Sequence, residues 1–105
     1  MEPMTVFGRR DEVQLLDVRE DDEWAAGRID GAHHIPLGQL SDRVGELDRD
    51  RPVVTVCRSG GRAGKATELL TQAGWDARPM SGGMKAWAQA DLPVGTPDGK
   101  PGTVA

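Results

Sequence analysis

One cysteine, Cys57, stands in the segment of this sequence best suited to chemistry, Val56–Ala63. It follows an uninterrupted β-branched run, Pro52–Val56, and precedes a loop that contains Gly60 and Gly61. Glycine lets a loop turn its backbone N–H groups inward without the steric penalty of a Cβ atom, and successive inward N–H groups form a binding site for an anion. The segment therefore predicts a cysteine whose thiolate is stabilised and acts as a nucleophile.

Positive charge is expected around the same sulfur atom. Arg58 and Arg62 flank the glycines, and a helix predicted to begin about five residues after Cys57 adds the positive end of its dipole. The alternative for a lone cysteine is a buried, inert core residue, which this polar and glycine-rich flank argues against. The candidate site consists of the nucleophile Cys57 and the substrate-binding residues Arg58, Ser59, Gly60, Gly61 and Arg62.

Strand and helix patterns alternate around this segment. A β-branched run without polar interruption is typical of a central parallel strand that is covered on both faces, and apolar residues in 37–47 and 63–73 recur at helical spacing. The sequence predicts an α/β domain with a central, mostly parallel sheet flanked by helices on both faces. Ligands of such sheets bind at the carboxyl ends of the strands, where Cys57 is expected.

Other polar groups are interpreted as structural. The acidic run Glu20–Glu23 opens a short predicted helix that ends at Gly27, and acidic side chains are stabilised at a helix N-terminus by the helix dipole. His33 and His34 are adjacent on a predicted strand, so their side chains point to opposite faces. They make a poor metal pair, and no third ligand is evident.

Composition limits the class of protein. The chain has 105 residues and a mass of 11.3 kDa, which suits one domain. Its net charge of −4 gives no basic excess for a nucleic acid or an anionic membrane, and no apolar run approaches the roughly 20 residues of a membrane span. The single cysteine excludes an intramolecular disulfide and a Cys-rich zinc site. No metal or other cofactor is expected.

Location and domain boundaries are also predicted. The N-terminus lacks the pattern of a secretory signal, and an unpaired cysteine suits a reducing compartment, so a cytoplasmic location is expected. Residues 5–95 are predicted to form the domain. Residues 96–105 are rich in proline and glycine and are expected to form a flexible C-terminal tail, which could also join a further domain.

Four separated motifs resemble those of the single-domain rhodanese, or thiosulfate sulfurtransferase, family. In chain order they are D-x-R-x-x-x-E at Asp17–Glu23, a G-H-I-P-G-A-x-N-I-P-like stretch at Gly27–Pro36, C-x-x-G-x-R at Cys57–Arg62 and G-G-x-x-x-W at Gly82–Trp87. The resemblance spans residues 5 to 95. Three departures, Arg28, Asp30 and His34, stand where the family has histidine, proline and asparagine, and none lies in the Cys57 loop.

The resemblance implies a rhodanese-like fold and a two-step sulfur transfer. Cys57 attacks the outer sulfur of a small anionic donor such as thiosulfate, sulfite leaves, and a persulfide forms on Cys57. A thiophilic acceptor then removes the sulfur; it is cyanide, a thiol, or a thioredoxin-like or other sulfur-accepting protein. The resemblance also implies that Asp17 and Arg19 support the loop through hydrogen bonds, the alternative being a surface ion pair that contributes little.

Three other functions stay open. A persulfide carrier or sulfide-sensing module would hold sulfur on Cys57 for a partner protein. An interaction domain without catalysis is disfavoured by the intact cysteine and loop. Phosphatases and arsenate reductases of related fold carry C-x5-R loops, whereas Cys57 and Arg62 give C-x4-R. A shorter loop forms a smaller cradle, which suits a single sulfur better than a tetrahedral oxyanion.

Overall fold

The computed structural model covers residues 1–105 and contains one sheet of four parallel strands. The strands are β1 (Gln14–Asp17), β2 (His33–His34), β3 (Val53–Val56) and β4 (Ala77–Pro79). Their order in the sheet is β2-β1-β3-β4, and every neighbouring pair is parallel. β3 lies in the interior of the sheet and all four of its residues are buried, as its β-branched sequence predicts.

Helices cover both faces of this sheet, which confirms the predicted α/β architecture. They are α1 (Pro3–Gly8), α2 (Asp21–Ala26), α3 (Leu40–Arg43), α4 (Gly61–Gln72) and α5 (Gly83–Gln89). Successive β3 side chains alternate between two cores: Val53 packs with Ala66 and Leu70 of α4, and Val54 packs with Met84 and Trp87 of α5. None of the helices is long and apolar enough to cross a membrane.

The segment from residue 37 to 47 differs from its predicted single helix. A 3₁₀ turn at Leu37–Gln39 leads into the short helix α3, and a second 3₁₀ turn follows at Val44–Glu46. Glycines at 38 and 45 weaken a continuous α-helix because glycine loses the most backbone freedom on helix formation. The apolar spacing still serves burial, since Leu40 and Leu47 pack in the core beside α4.

Two terminal segments add to the predicted domain. Helix α1 has no counterpart in the sequence-based prediction, because six residues are too few for a periodic pattern. The Pro/Gly-rich C-terminal segment folds back on the domain: the Gly102 amide donates to the Val94 carbonyl at 2.8 Å, and the Thr103 amide donates to the Ala26 carbonyl at 3.0 Å. The domain boundary at residue 95 and the flexibility of the tail stay predictions.

Candidate active site

Cys57 follows the last residue of β3, at the carboxyl edge of the sheet, and α4 begins four residues later at Gly61. The Gly60 amide donates a hydrogen bond to Cys57 Sγ across 2.9 Å. Gly60 has φ 122°, a value that side-chain-bearing residues rarely adopt. The glycine thus allows the loop to turn one backbone N–H onto the sulfur.

Cys57 is only 1% exposed, and it also packs in the core beside Leu16 and Ala63. The sulfur therefore lies between hydrocarbon on one side and the loop on the other. Cys57 is buried, as in the alternative of a core residue, but its sulfur also accepts a hydrogen bond from the loop. Gly60 supplies the one amide that donates to Sγ. A ligand that reacts with the sulfur therefore has to approach it from the loop side.

Further amides at this end of α4 are available to an anion. Gly61 and Arg62 occupy the first turn of a 12-residue helix, where N–H groups have no intrahelical acceptor. No other protein group accepts from them. The helix dipole adds positive potential at the same place, and anion binding by these amides stays a prediction.

Arg62 forms an ion pair with Glu23, a residue that was not among the candidate site residues. Its Nη1 and Nη2 donate to Glu23 Oε1 and Oε2 at 2.6 and 2.8 Å, a bidentate ion pair between α4 and α2. The hydrogen bond from Arg62 lowers the pKa of Glu23 to about 2, and the same pair raises the pKa of Arg62. The full, unpaired positive charge expected at Arg62 is therefore largely balanced by Glu23.

Glu23 could have been noticed as the last residue of the D-x-R-x-x-x-E motif. The acidic run that contains it predicts the start of a helix, and Glu23 has that role as well. The Glu20 amide donates to Glu23 Oε1 across 3.0 Å at the beginning of α2. The Glu23 carboxylate thus accepts a hydrogen bond from a backbone amide at the start of α2 and also binds Arg62. The composition of the acidic run does not distinguish these two roles.

Arg58 is exposed and its side chain is not paired with the sulfur. Its Nε donates to the Ala105 main-chain oxygen at 3.1 Å. Ser59 and Gly61 are also exposed. The expected pair of arginines at the sulfur is thus divided, with Arg62 bound to α2 and Arg58 bound to the C-terminal segment.

Helix α5 fixes the backbone of the loop from behind. The amides of Met84 and Lys85 donate to the carbonyls of Cys57 and Arg58 at 2.8 and 3.0 Å. Gly83 has φ 62°, and a Cβ atom built there would lie 2.5 Å from the Cys57 carbonyl oxygen. Glycine is therefore required at the first residue of α5 for this close approach, which gives the second glycine of the G-G-x-x-x-W motif a structural reason.

Asp17 and Arg19 form a fully enclosed pair, so the surface ion pair considered from sequence is wrong. They are 1% and 0% exposed, and Arg19 Nε and Nη2 bind the two Asp17 oxygens at 2.9 and 2.7 Å. Arg19 also donates to the carbonyls of Gly27 and Glu23 at 2.7 and 3.3 Å. The side-chain hydrogen bonds of the pair thus reach α2 and Gly27, and support of the Cys57 loop by Asp17 and Arg19 stays a prediction.

The two histidines occupy different environments. His33 Nε2 lies 2.8 Å from Glu46 Oε1, whereas His34 Nε2 lies 2.7 Å from the Arg19 carbonyl oxygen and its ring stacks on Trp24 at 4.6 Å. No three side chains of histidine, cysteine, aspartate or glutamate come together in the fold. His34, one of the departures from the family motif, thus packs against α2.

The ion pair between Glu23 and Arg62 predicts a specific pH dependence. Because the pKa of Glu23 is lowered from 4.5 to about 2 in the folded chain, its stabilising contribution is complete above pH 4.5 and disappears as the pH falls towards 2. We expect the difference in unfolding free energy between the wild type and Glu23→Gln to shrink over this range in urea titrations. Glu12→Gln, at an exposed pair with Arg9, serves as the control. A difference independent of pH would contradict the assignment.

The sequence is similar to a family model and to proteins of known name. A family model described as Rhodanese-like domain matches residues 8–90. A sulfurtransferase of Allochromatium vinosum is 38% identical over 90 residues, covering 85% of this chain and 84% of the relative. The thiosulfate sulfurtransferase GlpE of Shewanella oneidensis is 35% identical over 80 residues, covering 75% of this chain and 79% of the relative.

A solved structure has the same fold. The rhodanese-related protein of Thermoplasma volcanium superposes with a TM-score of 0.86 and 29% identity, covering 90% of this chain and 94% of the other. Some further relatives are longer proteins, of which this chain spans 38% and 60%. The matched region includes the Cys57 loop, α2 and α5.

Proposed function

This chain belongs to the rhodanese-like domain family, from which we infer that it is a sulfurtransferase, and we propose that thiosulfate is its donor. Sulfur passes through a persulfide on Cys57 to cyanide or a thiol. The observation that carries the proposal is the Gly60 amide on Cys57 Sγ beside the free N-terminal amides of α4. The 35% identity with GlpE of Shewanella oneidensis, which is named a thiosulfate sulfurtransferase, supports the choice of donor.

The first step forms one S–S bond and breaks another. The Cys57 thiolate attacks the outer sulfur of thiosulfate, and the electron pair of the thiosulfate S–S bond leaves with sulfite. The product is a Cys57 persulfide with its negative charge on the terminal sulfur. The amides of Gly61 and Arg62 are suited to stabilise charge on the donor and then on the persulfide.

The second step returns the cysteine to its starting state. Cyanide or a thiolate attacks the terminal sulfur, and the electron pair of the S–S bond goes back to Cys57. Thiocyanate or an acceptor persulfide is released, and no external oxidant or reductant is needed. Glu23 keeps the Arg62 side chain in one orientation, so the loop that carries both anions is held in place throughout.

Mass spectrometry of the intact protein tests this proposal. Freshly reduced protein incubated with thiosulfate is expected to gain the mass of one sulfur atom on Cys57, and cyanide is expected to remove it as thiocyanate. Protein alkylated beforehand with iodoacetamide, which blocks its only cysteine, serves as the control. Sulfur that loads but transfers to neither cyanide nor small thiols would favour a carrier for a partner protein. Failure to load from several sulfane donors would refute the proposal.

A further inference from the structure

The last four residues, 102–105, form a strap that crosses from α2 to the Cys57 loop. At one end the Thr103 amide donates to the Ala26 carbonyl at 3.0 Å. At the other end the Ala105 main-chain oxygen accepts from Arg58 Nε at 3.1 Å. Between them Val104 packs against the core beside α5. The strap therefore contacts both flanks of the site.

The strap contacts the domain through a close approach of the Gly102 backbone to the backbone of Ala26 and Gly27. A Cβ atom built on Gly102 would lie 2.8 Å from Gly27 Cα and 2.9 Å from the Ala26 carbonyl oxygen, and one built on Gly27 would collide with the Thr103 carbonyl oxygen. Neither position accepts a side chain without displacing the strap. Gly27 also presents its carbonyl to the buried Arg19, so the strap rests on a rigid support.

At its Ala105 end the strap accepts a hydrogen bond from an arginine of the loop. Arg58 is adjacent to Cys57, its side chain is exposed, and its Nε donates to the Ala105 main-chain oxygen. An anion bound at the loop would form charge-assisted hydrogen bonds with the same guanidinium, and these are the stronger class of hydrogen bond. The strap and an anion bound at the first turn of α4 are therefore alternative partners of Arg58.

We propose that the strap is an autoinhibitory segment that competes with anionic ligands of the loop for Arg58. The identity of the anion as a sulfur donor rests on the proposed function, whereas the competition requires only an anion. Coupling of this kind is reciprocal: the strap weakens anion binding by the same factor by which the anion weakens strap docking. For one hydrogen bond to a charged group we expect a factor of at least about ten.

Sulfate is a suitable probe because it is a dianion without a transferable sulfur. Isotope-labelled full-length protein is titrated with sulfate at constant ionic strength, and binding is followed by the NMR shifts of the Gly61 and Arg62 amides. Hydrogen exchange of the Thr103 amide reports strap docking. We expect saturating sulfate to accelerate this exchange at least about tenfold, and Gly102→Val to bind sulfate at least about tenfold more tightly than the wild type.

Two variants keep the test decisive. Gly8→Val is the matched control, since a Cβ atom at Gly8 meets no atom within 4 Å, and it should bind sulfate like the wild type. Thr103→Pro removes the N–H that bonds Ala26 and replaces Gly102→Val if that protein does not fold. Equal sulfate affinity in wild type and strap variant, or exchange at Thr103 unchanged by saturating sulfate, would overturn the proposal. Sulfur loading of Cys57 judges the proposed function separately.

Discussion

Replacing Cys57 with serine is expected to lower the rate of thiocyanate formation from thiosulfate and cyanide by at least about 10³-fold, because it removes the covalent nucleophile. A serine hydroxyl is un-ionised at neutral pH and cannot replace the thiolate, while its oxygen can still accept the hydrogen bond from the Gly60 amide. The loop should therefore keep its conformation while the chemistry is lost. Steady-state kcat/KM for thiosulfate measures the effect.

A second variant separates lost chemistry from lost folding. Cys57→Ala also lacks a nucleophile and leaves the Gly60 amide without its acceptor, which we expect to destabilise the protein by about 1–3 kcal/mol. Both variants should be equally inactive, although they differ in stability by urea denaturation. Sulfur transfer by Cys57→Ser at a rate comparable with the wild type would contradict the role of Cys57.

Replacing Asp17 with alanine is expected to reduce the free energy of unfolding by about 3–5 kcal/mol. The change leaves the Arg19 guanidinium, which is 0% exposed, without its counter-charge, and an uncompensated buried charge is strongly destabilising. The loss is a large part of the roughly 5–15 kcal/mol that stabilises a typical domain. Urea denaturation followed by circular dichroism measures it.

The matched control is an ion pair of the same charge type on the surface. Arg9 and Glu12 approach to 3.4 Å with side chains 49% and 63% exposed, and exposed pairs contribute about 0–1 kcal/mol. Glu12→Ala should therefore change stability by less than about 1 kcal/mol. Equal losses of unfolding free energy in Asp17→Ala and Glu12→Ala would contradict the claim that burial makes the Asp17–Arg19 pair costly to break.

The sequence alone predicts the elements that present Cys57. The β-branched run before it and the helical spacing after it are local patterns, and such patterns report strand and helix because side-chain direction follows backbone periodicity. The order strand, cysteine loop, helix then places the sulfur at the carboxyl edge of a parallel sheet. The motifs around Cys57 and Gly83 likewise appear as short runs in the chain.

Only the tertiary structure decides how charge is distributed around that sulfur. Glu23 and Arg62 are 39 residues apart in sequence, and their pairing depends on how α2 docks beside α4. The same holds for the contact of Arg58 with the strap and for the burial of the Asp17–Arg19 pair. The residue type shows that an arginine is charged. Its partner depends on packing of the core, which brings distant segments of the chain within hydrogen-bond distance.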